Sequence, residues 1–114
     1  MFVMMIELQS LVSARIKASP DQIAEFCQRW KITEFALFGS VLRDDFRSDS
    51  DIDVLVTFAP NFGWSLLDWV DMKDELKALF GREVDIADKQ RLKNPYRRYE
   101  ILNTHQVIYA NKQP

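Results

Sequence analysis

Cysteine and histidine are almost missing from this sequence, which has one of each in 114 residues. With Cys27 as the single thiol, no internal disulfide can form, and a reducing cytoplasm is the expected location. The lone histidine, His105, stands far along the chain from Cys27, so nothing close in sequence would activate that thiol as a nucleophile. An excess of positive charge is lacking too. A formal net charge of −2 argues against a general nucleic-acid binder, which needs a basic surface to meet phosphates. The apolar residues 1–6 are too few to span a membrane, and they have no positively charged lead that would make a signal peptide. Repeats and low-complexity linkers are absent. What remains is an ordinary globular composition, 47% hydrophobic and 28% charged. A chain of this length makes one core and leaves no room for a second.

The informative stretch is residues 35–57. It reads as a strand, a Gly-Ser turn, a short helix, and a second strand that opens with alternating carboxylates. Gly39 and Ser40 come first, ten residues follow, and then come Asp51 and Asp53. A helix N-terminus at the end of a strand offers free backbone N–H groups and a positive dipole end, which suits a phosphate. Two Asp residues spaced by one along a strand point to the same face and can grip one hard cation such as magnesium. A phosphate cradle beside metal-binding carboxylates points to nucleotide chemistry.

Around this stretch the periodicities predict an α+β domain. Residues 4–17 place apolar side chains loosely at helical spacing and suggest a short helix, so that residues 1–18 form a helical extension to a domain over 19–110. Ser19, Pro20 and Gln22 make a capping-box start for a helix whose face carries Ile23, Phe26, Cys27 and Trp30. Cys27 is thereby expected to be a small buried side chain. Strands are expected at 33–38, at 51–58, at 82–87 and, as a last edge strand, at 106–110. In the second, Ile52, Val54, Val56 and Phe58 share one face, and Asp51, Asp53 and Leu55 share the other. Residues 40–46 should form one or two helical turns. Ser65 and Asp68 start a helix that runs to Phe80 and stops at Gly81, with Trp69, Met72, Leu76 and Leu79 as its core stripe. Asn94 and Pro95 start another, to 103, with His105 as a surface or capping residue. Lys89, Arg91, Lys93, Arg97 and Arg98 concentrate positive charge there. Two readings stay open for that cluster: a solvated helix face, or cations that meet phosphates or a partner.

The Gly39-Ser40 to Asp51-Ile52-Asp53 pattern resembles the nucleotidyltransferase fold of the DNA polymerase beta superfamily. More narrowly, it is similar to the small MNT (minimal nucleotidyltransferase) antitoxins paired with HEPN toxins, and the order of elements agrees from about residue 19 to 109. The resemblance implies a palm-like fold, with a small mixed sheet of about four strands packed on helices. It also implies magnesium as cofactor and ATP as co-substrate. Asp51 and Asp53 would hold the metal, and Asp85, on the next predicted strand, would be the third acidic residue, as metal ligand or proton acceptor. Gly39 and Ser40 would bind the terminal phosphates, and Arg43 would reach a phosphate oxygen. Asp44, Asp45 and Asp49 are expected to be solvated.

Superfamily members that act on small molecules or nucleic acids usually carry a further domain for the acceptor, and this chain has no room for one. The resemblance therefore implies a cytoplasmic antitoxin that adenylylates a tyrosine of its cognate HEPN RNase toxin, in a type VII-like toxin–antitoxin pair, with no direct contact to nucleic acid or membrane. Two alternatives stand beside it: an antitoxin that only masks the toxin and keeps a vestigial nucleotide site, or a small-molecule nucleotidyltransferase.

Overall fold

The computed structural model describes residues 2–5, 14–60 and 63–112. Its frame is a five-stranded mixed sheet in the order β1-β5-β2-β3-β4. The strands are β1 (Phe2–Met5), β2 (Ile32–Phe38), β3 (Ile52–Phe58), β4 (Val84–Asp88) and β5 (Gln106–Lys112). The pairs β1–β5, β5–β2 and β2–β3 are antiparallel, and β3–β4 is parallel. Three helices complete the frame: α1 (Pro20–Arg29), α2 (Leu66–Phe80) and α3 (Pro95–Thr104). A parallel pair needs a crossover, and α2 supplies it between β3 and β4. The architecture is the expected α+β one. None of the described helices is long and apolar enough to cross a membrane.

The helix ends form where the sequence places them. Gln22 N–H donates to Ser19 Oγ at 3.2 Å while Ser19 N–H donates to Gln22 Oε1 at 2.9 Å, the reciprocal bonds of a capping box. Ser65 and Asp68 repeat the arrangement for α2. Asn94 accepts from the N–H groups of Tyr96 and Arg97 ahead of Pro95. Gly81 ends α2 at φ +71°, left-handed backbone that costs a side-chain-bearing residue strain.

The sheet has two unequal cores. On one face Ile52, Val54, Val56 and Phe58 of β3 pack with Ile23, Phe26 and Cys27 of α1 and Met72, Leu76 and Phe80 of α2. On the other, Leu55, Ala36 and Phe38 meet Ile101 of α3, with Ala87, Leu92, Leu102 and Val107 around them. The period-2 pattern of β3 thus divides its side chains as expected. Cys27 is fully buried, and burial pushes its thiol far above the usual range. Trp30, Trp64 and Trp69 are half-buried against the larger core. Trp30 and Trp64 meet edge-on at 5.0 Å, and Trp30 Nε1 donates to Glu75 Oε2 at 2.6 Å. Arg29 bonds the same carboxylate, so α1 and α2 are tied together through Glu75.

Three expectations need correction. Met4 and Met5 lie in β1, where they pair with Ala110 and Tyr109, and not in a helix. Strand β1 takes up backbone groups along one side of β5, which is therefore flanked on both sides and is no edge strand; it also makes the sheet one strand larger than expected. Residues 6–13 of the expected helix lie outside the described residues, and 14–16 are helical with Ile16 buried. The helix expected at 40–46 is a single 3-10 turn, Gly39–Leu42, after which Arg43 is extended. The Val41 and Arg43 carbonyls, which a longer helix would use internally, instead accept hydrogen bonds from Arg15 at 2.9 and 2.7 Å.

Candidate active site

Strand order creates the site. Phe38, the last residue of β2, is paired with Asp53 of β3, and Asp53 is paired with Asp85 of β4. Residues in register on neighbouring strands project to the same face, so the two carboxylates stand side by side just beyond the Gly39 corner. An open cavity of about 300 Å³ lies over them, lined by Gly39, Arg43, Asp53 and Asp85 from the sheet side. The wall across it is one face of α3: Arg97, Glu100, Ile101 and Thr104. Their spacing of three, four and seven residues is that of a single helix stripe. A larger hollow, about 490 Å³, lies behind the loop at Ser48, Asp49 and Ser50 against Arg82 and Lys77 and does not touch this carboxylate pair.

Gly39 has φ +77°, and a Cβ there would meet the Asp53 carboxylate inside van der Waals contact, with Asp53 Cγ at 3.2 Å. The corner and the carboxylate are therefore built against each other. Asp53 is half-buried, and its carboxyl is pushed above the ordinary carboxylate range. Burial is the main cause, followed by the negative charges of Asp85 and Asp51, with Arg97 and then Arg43 opposing.

Asp51 is exposed at the mouth of β3 and does not line the cavity, although its charge reaches Asp53. Ser40 is half-buried inside the 3-10 turn, where its carbonyl accepts from Arg43 N–H at 2.9 Å. Arg43 lines the cavity, and its Nε donates to Asp45 at 3.1 Å. Asp44, Asp45 and Asp49 are exposed, and salt-bridging to Arg43 holds the Asp45 carboxyl below its usual range. Among the described residues no group of three or more carboxylate, histidine or cysteine side chains is arranged to hold a metal ion. Asp53 and Asp85 nonetheless stand in register as a pair of carboxylates, the oxygen-donor chemistry that a hard divalent cation takes.

The basic segment divides in two. Lys89 pairs with Glu34 at 3.3 Å, Arg91 with Asp88 at 3.7 Å, and Arg98 donates to the carbonyls of Lys89 and Leu92. Those three cations are used internally, and Arg97 faces the cavity. His105 caps α3, with a ring nitrogen 3.0 Å from the Leu102 carbonyl.

Sequence reasoning missed the support behind the loop that joins Gly39 to Asp51. Arg82 donates to the Arg47 and Ser50 carbonyls at 2.9 and 3.0 Å and lies over the Phe46 ring at 4.4 Å. Arg15 covers the same ring at 4.9 Å. Two guanidiniums thus hold Phe46, and through it the approach to Asp51. The partners are 26 or more residues apart, so local spacing carries no trace of them.

Comparison with known proteins gives the family. Residues 20–108 match the nucleotidyltransferase domain family. The protein adenylyltransferase MntA of Thermococcus cleftensis is 34% identical over 88 residues, which covers 77% of this chain and 80% of that protein. A solved minimal nucleotidyltransferase structure has a TM-score of 0.62 at 34% identity, covering 76% of this chain and 86% of the other. A tri-AMPylated Shewanella oneidensis HEPN toxin in complex with MNT antitoxin shares the fold, with a TM-score of 0.58 at 16% identity, over 81% of this chain and 70% of that one. By its sheet, its corner and these matches, the chain belongs to the nucleotidyltransferase domain family.

Proposed function

We propose that this chain is a cytoplasmic antitoxin that works as a protein adenylyltransferase, transferring AMP from ATP to a tyrosine of a cognate HEPN toxin. One observation carries the reading: Asp53 and Asp85 stand in register on adjacent strands, directly beside the positive-φ Gly39 corner. The relative named a protein adenylyltransferase and the fold-level match to an MNT antitoxin bound to an AMPylated HEPN toxin support it.

In this reading Asp53 and Asp85 would hold magnesium through carboxylate oxygens, and Asp51, which stands at the mouth of β3 outside the cavity lining, would join them as a third ligand once the ion is bound. The bound metal would neutralise charge on the phosphates and lower the pKa of the attacking hydroxyl. The Gly39–Ser40 turn receives the terminal phosphates on its backbone N–H groups and the Ser40 hydroxyl. Arg43 leans on a phosphate oxygen from the cavity wall. The tyrosine oxygen bonds to the α-phosphorus as the bond to the β-phosphate oxygen breaks, and diphosphate leaves. The phenolic proton passes to a carboxylate, for which Asp85 is the exposed candidate.

The test combines this protein with its neighbouring gene product, magnesium and α-labelled ATP, followed by intact-mass spectrometry. An AMP-sized gain on the partner, lost with the Asp51→Asn/Asp53→Asn double variant, is the expected result. A partner silenced equally well without ATP and without any mass gain would replace catalysis with masking.

A further inference from the structure

We infer that Arg97 is a substrate-contacting residue that binds the β- and γ-phosphates of the nucleotide and then holds the diphosphate leaving group. The inference rests on the nucleotidyl-transfer reading and adds to it a residue from α3, outside the Gly-Ser and Asp-x-Asp segment. The cavity presents three carboxylates, Asp53, Asp85 and Glu100, and two guanidiniums, Arg43 and Arg97. A triphosphate keeps net negative charge even when magnesium is bound to it, so entry into an acidic cavity requires cations. Arg43 is partly committed, because its Nε pairs with Asp45.

Arg97 is the remaining guanidinium on the cavity wall. Lys89, Arg91 and Arg98, its neighbours in sequence, are taken up by Glu34, Asp88 and two backbone carbonyls. Among the described residues no such bond ties down the Arg97 side chain, which is exposed and in the first turn of a helix whose inner stripe faces Asp53. Asn94 and Pro95 fix where that turn begins, so the backbone that bears Arg97 is ordered before any ligand arrives. A planar guanidinium offers paired N–H donors that match two phosphate oxygens, which an ammonium cannot do. Of the five cations in the segment, three are used for structure, Lys93 lies outside the cavity lining, and Arg97 alone of the five lines the cavity.

The experiment measures calorimetric binding of a non-hydrolysable ATP analogue, of diphosphate and of AMP, each with magnesium, to the wild type, Arg97→Ala and Arg97→Lys. Arg97→Ala should weaken the ATP analogue and diphosphate by roughly ten- to a hundredfold while AMP changes less than about twofold. Arg97→Lys should recover only part of the loss. Because Arg97 is exposed, the melting temperature of both variants should match the wild type; Arg97→Gln replaces the alanine variant should that one fail to fold. Unchanged affinity for the ATP analogue and diphosphate would overturn the inference, as would an equal loss for AMP, which would place the contact on the adenosine or α-phosphate. A wild-type protein that binds none of the three would overturn the nucleotide reading itself, and Arg97's role with it.

Discussion

The Asp53 carboxylate occupies the space that a Cβ on Gly39 would need, and Gly39 itself sits at φ +77°. The Gly39 corner and the carboxylate pair are therefore one packed unit, and any side chain at the corner must move both. Gly39→Ala should cost the roughly 1–2 kcal/mol of left-handed backbone strain and, by displacing Asp53, abolish nucleotide-dependent activity. Gly81→Ala is the control. It shares the positive φ, but its Cβ would meet only the Lys17 side chain at 4.0 Å, so it should lower the melting temperature and spare activity. Equal activity loss in both variants would show that strain alone matters.

Ionised Asp53 works against the fold. Its carboxyl holds its proton to higher pH than in the unfolded chain, through burial and the neighbouring Asp85 and Asp51. A raised folded-state pKa means stability is lost as the group ionises, so at neutral pH the native state carries that cost. Asp53→Asn should therefore raise the melting temperature at neutral pH in the absence of divalent ions and, on the proposed function, should abolish adenylyl transfer. Magnesium should raise the melting temperature of the wild type and leave the variant unmoved. A variant less stable than the wild type in magnesium-free buffer would contradict the electrostatic account.

Arg82 is expected to act through the loop it holds. Arg82→Ala removes two hydrogen bonds to the Arg47 and Ser50 carbonyls and the cover over Phe46. A loss of about 1–3 kcal/mol follows, and amide exchange should quicken at residues 47–50. Arg82→Lys should restore little, since a single ammonium cannot both stack on the ring and reach two carbonyls as the guanidinium does. Exchange rates identical to wild type would show that the loop is held elsewhere.

Cys27 should be chemically silent. It has no exposed surface, although it lies under the floor of a hollow at Gln28, Lys31 and Thr33, and burial pushes the thiol far above the usual range. A thiol-reactive dye should label the native protein only at the rate of global unfolding, and denaturant should expose one reactive thiol. Rapid labelling under native conditions would show that α1 opens locally.

The sequence was most readable where the physics is local. The starts of α1, α2 and α3 were visible as Ser19-Pro20, Ser65 and Asn94-Pro95, because a cap needs only residues within a turn of it. The faces of β3 were visible from its period of two. Where long-range contacts compete with local preference, legibility failed. Met4 and Met5 joined a strand because β5 could pair with them, and the turn after Ser40 ended early because Arg15 took its carbonyls. The stripe formed by Arg97, Glu100 and Thr104 was present as a helical spacing, but nothing along the chain says which way α3 faces.

By itself the sequence determined the residue types and spacings of the corner and the carboxylates, because Gly39, Ser40, Asp51 and Asp53 all lie within one strand–turn–strand unit. The resemblance named Asp85 as the third acidic residue, and the tertiary structure decided that it stands in register beside Asp53. Parallel pairing of β3 with β4 chose Asp85, and packing Ile101 against Leu55 and Phe38 turned Arg97 toward both. Spacing along a chain fixes neighbours within a few residues, whereas register and helix rotation are set by which apolar faces must be buried together.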